Sequence, residues 1–159
     1  MQRTNHQASN CSIARSLQVV GDKWTLLIIR ESFYGATRYE QFHQVLKCPR
    51  NLLSQRLSRL VEEEILEQSE YREPGLRARL EYRMTDKGRE LAPILLALMQ
   101  WGDRHHGDPE GPPVIARIVS CGHELHVGLT CAQGHQPTGP HDIELVPGPG
   151  DLTNTLAAS

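Results

Sequence analysis

The sequence predicts a mainly α fold with one small two-stranded β-element, followed by a short C-terminal β-rich extension. Three observations carry this. Between Arg38 and Arg83, two short helical patterns, a tight break and a basic two-stranded ribbon follow one another. Leu53, Leu57, Leu60 and Val61 recur at the spacing of one helix face, whereas residues 66–73 and 79–85 have strand character around a Pro74-Gly75 turn. Residues 107–113 are rich in Gly, Pro and acid, the composition of a linker. Two domains are therefore expected, 1–107 and 108–159.

The elements follow in order. Ser12 can cap a first helix bearing Ile13, Leu17 and Val20, stopped by Gly21. Asp22 can cap a second, over residues 23–33, with Trp24, Leu26, Leu27 and Ile28 apolar and Gly35 ending it. A third covers 39–46. The fourth begins at Pro49, a first helical position where a missing N–H costs nothing. Thr85 is the expected cap of a fifth helix over 86–103. In that helix Leu91, Ala92, Ile94, Leu95, Leu96, Leu98, Met99 and Trp101 would wrap an arc of about 220° at ~100° per residue. One packing face needs little more than about 100°. The surplus calls for another cover: a second copy of the chain, or else the first helix or the tail of the same chain.

The polar side of the fourth helix is chemically distinctive. Arg50, Asn51, Ser54, Gln55 and Ser58 fall opposite the leucines with no acid among them. Arg, Asn and Gln read base edges in the major groove, and Ser reaches phosphate. The chain's net charge of -2 hides an asymmetry. Residues 1–107 hold 16 of the 17 Lys and Arg and 13 of the 19 Asp and Glu, a surplus of +3, and the rest of the chain is acidic. Lys47, Arg50, Arg56 and Arg59 stand in a stretch without acid, and local field governs attraction to phosphate. A helix-turn-helix followed by a ribbon bearing Arg72, Arg77, Arg79 and Arg83 is a winged helix-turn-helix. Its hairpin is the wing, suited to the sugar-phosphate backbone. Base contact is expected from Arg50, Asn51, Ser54, Gln55 and Ser58, and phosphate contact from Arg38, Lys47, Arg77 and Arg79.

From Cys11 to about His105 the chain resembles the HxlR-type winged helix-turn-helix transcriptional regulators. The matching residues are Cys11-Ser12-Ile13-Ala14-Arg15, the run from Val20 through Gly21-Asp22-Lys23-Trp24 to Arg30, and Arg38-Tyr39. Pro49-Arg50, Leu53-Ser54 and Arg56-Leu57 match in the fourth helix, and Glu81-Tyr82-Arg83-Met84-Thr85 with Gly88 after it. The resemblance implies a homodimer, paired through its first and last helices, on an inverted repeat in promoter DNA. Two positions depart from the pattern: Lys47 and Cys48 stand where the family has an aliphatic residue and then Ser or Thr. Lys47 either adds a phosphate contact or simply faces solvent.

The four cysteines admit more than one chemistry. In members of the resembled family a cysteine matching Cys11 senses oxidants, quinones or aldehydes. The alternative at Cys11 is a small packed residue. Cys48, at a helix start beside Lys47 and Arg50, is either a reactive thiol with a lowered pKa or the filler of a small hole. Cys121, His123, Cys131 and His135 form a candidate Cys2His2 zinc set, or leftover side chains of a small hairpin. Otherwise no cofactor is expected.

Other classes find less support. No motif around a cysteine or histidine suggests catalysis, so an enzyme is not expected. No apolar run is long enough to span a bilayer, and no signal-peptide stretch opens the chain, so a cytoplasmic location is expected. Two alternatives to a thiol-responsive DNA-binding regulator stay open. One is a regulator answering a small molecule lodged near Trp24 and Trp101. The other is a winged module that binds protein, though such a module needs neither the acid-free helix nor the wing arginines. Residues 147–159 are small and polar, as an unstructured end would be.

Overall fold

A computed structural model describes residues 11–72, 75 and 77–149. Pro74, expected in the wing turn, and residues 150–159 of the expected unstructured end lie outside the described residues. The helices are α1 (Ser12–Val20), α2 (Lys23–Phe33), α3 (Tyr39–Leu46), α4 (Arg50–Glu62), α5 (Asp86–Arg89) and α6 (Ala92–His106). The strands are β1 (Leu66–Tyr71) and β2 (Arg79–Met84). The described residues form two compact units, one within 20–127 and the other within 11–19 and 128–149.

In the larger unit, Asp22 caps α2 as expected, its Oδ1 accepting from the N–H groups of Trp24 at 3.0 Å and Thr25 at 3.2 Å. The helix stops where Gly35 adopts φ +91, a conformation a side chain would resist. Gln41 secures the start of α3, because its Oε1 accepts from the N–H groups of Thr37 at 2.9 Å and Arg38 at 2.8 Å. Between α3 and α4 lie only Lys47, Cys48 and Pro49, with Lys47 in the left-handed region at φ 49. Pro49 is the residue before α4 rather than its first helical residue.

The core is built from one face each of α2, α3 and α4 together with the strands. Ile28 and Ile29 of α2, Phe42 of α3 and Leu53, Leu57 and Leu60 of α4 are buried together with Ile65, Leu66 and Tyr82. The strands pair antiparallel from Leu66↔Met84 to Tyr71↔Arg79. On the other edge of β2, Arg38 bridges Glu81, and Tyr82 N–H donates to the Thr37 carbonyl at 2.7 Å. The wing is thereby tied to the start of α3.

The helix expected over 86–103 is divided. Thr85 does cap α5, its Oγ1 accepting from Gly88 N–H at 3.0 Å, but α5 ends at Arg89 and α6 starts at Ala92. Pro93 is the reason: it has no N–H to continue the ladder, and its ring would collide with the carbonyl four residues back. No residue of α6 is buried. Ile94, Leu98 and Trp101 remain about half exposed, at 49%, 50% and 51%, on one stripe of this helix. After the linker the chain makes a small hairpin with the single bridge pair Arg117↔Glu124. Gln100 of α6 holds its outgoing arm, Nε2 donating to the Leu125 carbonyl at 2.7 Å and Oε1 accepting from Val127 N–H at 3.0 Å.

In the smaller unit α1 carries Ile13 and Leu17, one turn apart and exposed. Residues 131–135 form a tight loop, Cys131 N–H donating to the His135 carbonyl and Gly134 N–H to the Cys131 carbonyl, both at 2.9 Å. A 3-10 turn, Pro140–Asp142, follows, and Asp142 Oδ2 accepts from Thr138 N–H at 2.8 Å.

Candidate nucleic-acid interface

α4 sorts its side chains as the periodicity requires. Leu53, Leu57 and Leu60 point inward, while Asn51, Ser54, Gln55 and Ser58 are exposed along the opposite side. With the leucines anchored against α2 and β1, the helix presents a rigid polar ridge. Asn51 also turns its Oδ1 to the N–H of Leu52 at 2.9 Å.

The basic stretch around this ridge is less free than its composition suggests, since acids from elsewhere in the chain come to it. Arg56 does not face outward with Asn51, Ser54, Gln55 and Ser58. Its Nε and NH2 donate to Asp22 Oδ1 at 2.9 Å and Oδ2 at 3.3 Å, binding α4 to the cap of α2. The Arg56 guanidinium, joined by the two N–H groups of α2, holds the Asp22 carboxyl below the usual carboxylate range. Arg59 reaches Glu63 at 2.5 Å and Glu62 at 3.7 Å, which neutralises the C-terminal turn of the helix. Arg50 NH1 contacts Glu40 Oε1 of α3 at 3.0 Å, and Tyr39 Oη donates to the Arg50 carbonyl at 2.9 Å.

The expected backbone-contacting residues surround the ridge. Lys47 is exposed at the helix-turn-helix bend, and Arg77 and Arg79 are exposed at the outer end of the wing. Arg38 is exposed at the start of α3, its guanidinium 4.4 Å from the centroid of the Tyr71 ring on β1. Arg72 is exposed as well, but Arg83 turns to Glu81 at 3.0 Å and is thereby offset. Glu40, Gln41 and Tyr71 were not singled out from the sequence, and Tyr39 entered only as part of the family resemblance. The one local signal among them was glutamine at the third position of α3, a capping-box residue.

The structure chooses between the two readings of Cys48. It is 1% exposed, and burial, reinforced by the negative charge of Asp22, pushes its thiol above the ordinary cysteine value. Cys48 therefore fills a hole beneath the turn, and the expectation of a reactive helix-start thiol is corrected. Cys11 is half-buried, its carbonyl accepting from Arg15 N–H at 3.0 Å. Cys131 is exposed, and backbone N–H groups, first that of Gln133 and then that of His135, hold its thiol below the ordinary value. Cys121 and His123 sit at the turn of the hairpin, where Ile118 N–H donates to the His123 carbonyl at 2.9 Å. Among the described residues, no three His, Cys, Asp or Glu side chains are gathered as metal ligands would be. Of the candidate zinc set, Cys121 and His123 belong to the larger unit and Cys131 and His135 to the smaller.

A two-helix unit with a short bend, a solvent-facing polar second helix and an adjoining basic hairpin defines a winged helix-turn-helix DNA-binding protein. The family comparison agrees. The model of the HxlR-like helix-turn-helix family matches residues 19–110, and the chain belongs to that family. The HTH-type transcriptional regulator Rv3095 of Mycobacterium tuberculosis, itself uncharacterized, is 38% identical over 146 residues, 92% of this chain and 91% of its own. The crystal structure of PA1607, a candidate transcription factor, superposes with a TM-score of 0.76 at 33% identity, covering 90% of this chain and 99% of that one. The redox regulator HypR in its oxidized form is 26% identical, with a TM-score of 0.55 over 60% of this chain and 98% of its own. The chain is a transcriptional regulator with a helix-turn-helix DNA-binding fold. No helix among the described residues is long and apolar enough to cross a membrane.

Proposed function

We propose that the protein acts as a homodimeric repressor that reads an inverted repeat in promoter DNA. Two copies pair through the apolar stripe of α6, with the exposed Ile13 and Leu17 of α1 as further cover. Each copy lays α4 in the major groove, the two grooves about 34 Å apart on one face of the duplex. Arg50, Asn51, Ser54 and Gln55 read base edges, with Ser58 at the far end of the ridge. Arg38, Lys47, Arg77 and Arg79 hold the backbone. Occupation of the promoter then blocks transcription. The observation that carries this reading is the sorting of α4, with Asn51, Ser54, Gln55 and Ser58 exposed over buried Leu53, Leu57 and Leu60.

Selection of bound sites from random duplexes tests it, followed by variants on the selected site. Gln55→Ala is expected to relax sequence preference at a cost of about 1–3 kcal/mol. Arg79→Ala should weaken selected and scrambled DNA alike and reduce the salt slope by roughly 1. Equal losses on both duplexes for Gln55→Ala would remove it as a reader. Failure to enrich any site would remove the whole assignment.

The likeness to HypR, a redox regulator solved in reduced and oxidized forms, supports a response to oxidants or electrophiles through Cys11. A disulfide or adduct at this position, at the head of a proposed pairing helix, would re-space the two reading helices. Cys11→Ser should bind DNA as the parent does and lose any release by diamide or quinone. An unchanged release in that variant would discard the role.

A further inference from the structure

We propose that Glu40 is a specificity-determining residue that makes Arg50 a poor ligand for phosphate while leaving it able to read guanine. The inference rests on the assignment of α4 as the reading helix. Glu40 lies in the first turn of α3 and Arg50 is the first residue of α4, so the helix-turn-helix bend brings them face to face. Their contact, 3.0 Å from Oε1 to NH1, joins two solvent-facing side chains, 53% and 62% exposed. Tyr39 adds two restraints, its hydroxyl on the Arg50 carbonyl at 2.9 Å and its ring centroid 6.0 Å from the guanidinium. Arg50 is therefore held at three points before any DNA arrives.

The chemistry of the two ligands differs in one respect that this arrangement detects. A guanidinium has five N–H donors, and Glu40 engages one nitrogen of Arg50. Guanine offers the neutral acceptors O6 and N7, which can take two remaining donors without disturbing the carboxylate. A phosphate must bring an anion beside the carboxylate of Glu40. That carboxylate stays ionised, because Arg50 foremost, with His43 and Arg79 contributing, holds it below the usual range. Repulsion between two anions then offsets the attraction between Arg50 and phosphate, whereas the guanine contact escapes it. The result is an arginine whose binding energy is confined to the correct base. Through Arg79, the same charge also tempers the outer end of the wing.

The test compares the duplex recovered by selection with a scrambled duplex of the same composition, over a series of salt concentrations. Glu40→Gln keeps the shape and an accepting oxygen but removes the charge. It should tighten scrambled-duplex binding enough to lower the specificity ratio about tenfold, within the range one bidentate base contact supplies. It should also steepen the salt slope by about 1, as one further phosphate contact does. Glu40→Asp should preserve the ratio. In an Arg50→Ala background the effect of Glu40→Gln on the ratio should vanish. Far-UV circular dichroism and melting verify that each variant is folded, which the exposure of both side chains favours. An unchanged ratio and slope in Glu40→Gln overturns the proposal, as does an equal fall with and without Arg50. Arg50→Ala with undiminished preference overturns it too, because Arg50 is then not a reader. If the parent protein selects no sequence, the DNA-reading assignment itself fails. If the parent selects a site and Arg50→Ala relaxes it while Glu40→Gln does nothing, only the role of Glu40 is lost.

Discussion

Leu98→Glu should convert the protein into a monomer whose affinity for an inverted-repeat duplex is lower by about 10²–10⁴-fold, the gain that linked binding of two sites supplies. Ile94, Leu98 and Trp101 form a stripe on α6 that is about half exposed among the described residues, and no residue of that helix is buried. Full burial of a side chain of this size contributes about 1.5–3 kcal/mol, so a paired stripe is a strong adhesive. A carboxylate in its middle would have to lose its hydration in the paired state without a compensating partner. Light scattering after gel filtration gives the mass, and titration of a duplex with one or two half-sites gives the binding. The expected pattern is half the parent mass, near-parental affinity for one half-site and a large loss on two. A parent protein that is already monomeric, or a variant that retains the parent mass, would show that α6 is not the pairing surface.

Gly88→Ala should lower stability by about 1–3 kcal/mol, the usual cost of forcing atoms into a filled space. Gly88 is buried, and a Cβ built on it would run into the Ile65 carbonyl oxygen and lie 3.3 Å from Met84 Cε. That carbonyl is not free to retreat, because it accepts from Thr85 N–H at 3.2 Å, and Thr85 Oγ1 donates to the neighbouring Glu64 carbonyl at 2.6 Å. The strain therefore spreads to the junction of α4, the wing and α5. Thermal unfolding should show a midpoint several degrees lower with a similar transition shape. An unchanged midpoint would mean that α5 can shift away without loss.

What could be read from the chain divides by the range of the interaction. The bounds of α3, the cap at Asp22 and the inward leucines of α4 follow from residues within a turn or two of one another, and sequence reveals such relations directly. Pro93 was legible too, but the strong apolar pattern around it masked the break it imposes on the last helix. The electrostatics of the interface were not legible. An acid-free stretch from 47 to 59 looks uniformly positive until Glu40 reaches Arg50 and Asp22, 34 residues away, reaches Arg56. Cys48 failed as a candidate for the same reason. Its neighbours in sequence are basic, whereas in space burial in the core and the carboxylate of Asp22 outweigh the charge of Arg56.

Asp22 serves two masters with one carboxylate: it terminates α2 and it grips Arg56, the residue next to Gln55. Neither helix can slide past the other unless that group abandons one of its duties. The pose of the DNA-facing ridge is consequently slaved to the position of residue 22, only eleven residues from Cys11 in sequence. A small shove delivered at the amino-terminal side of α2 would reach α4 through this one carboxylate.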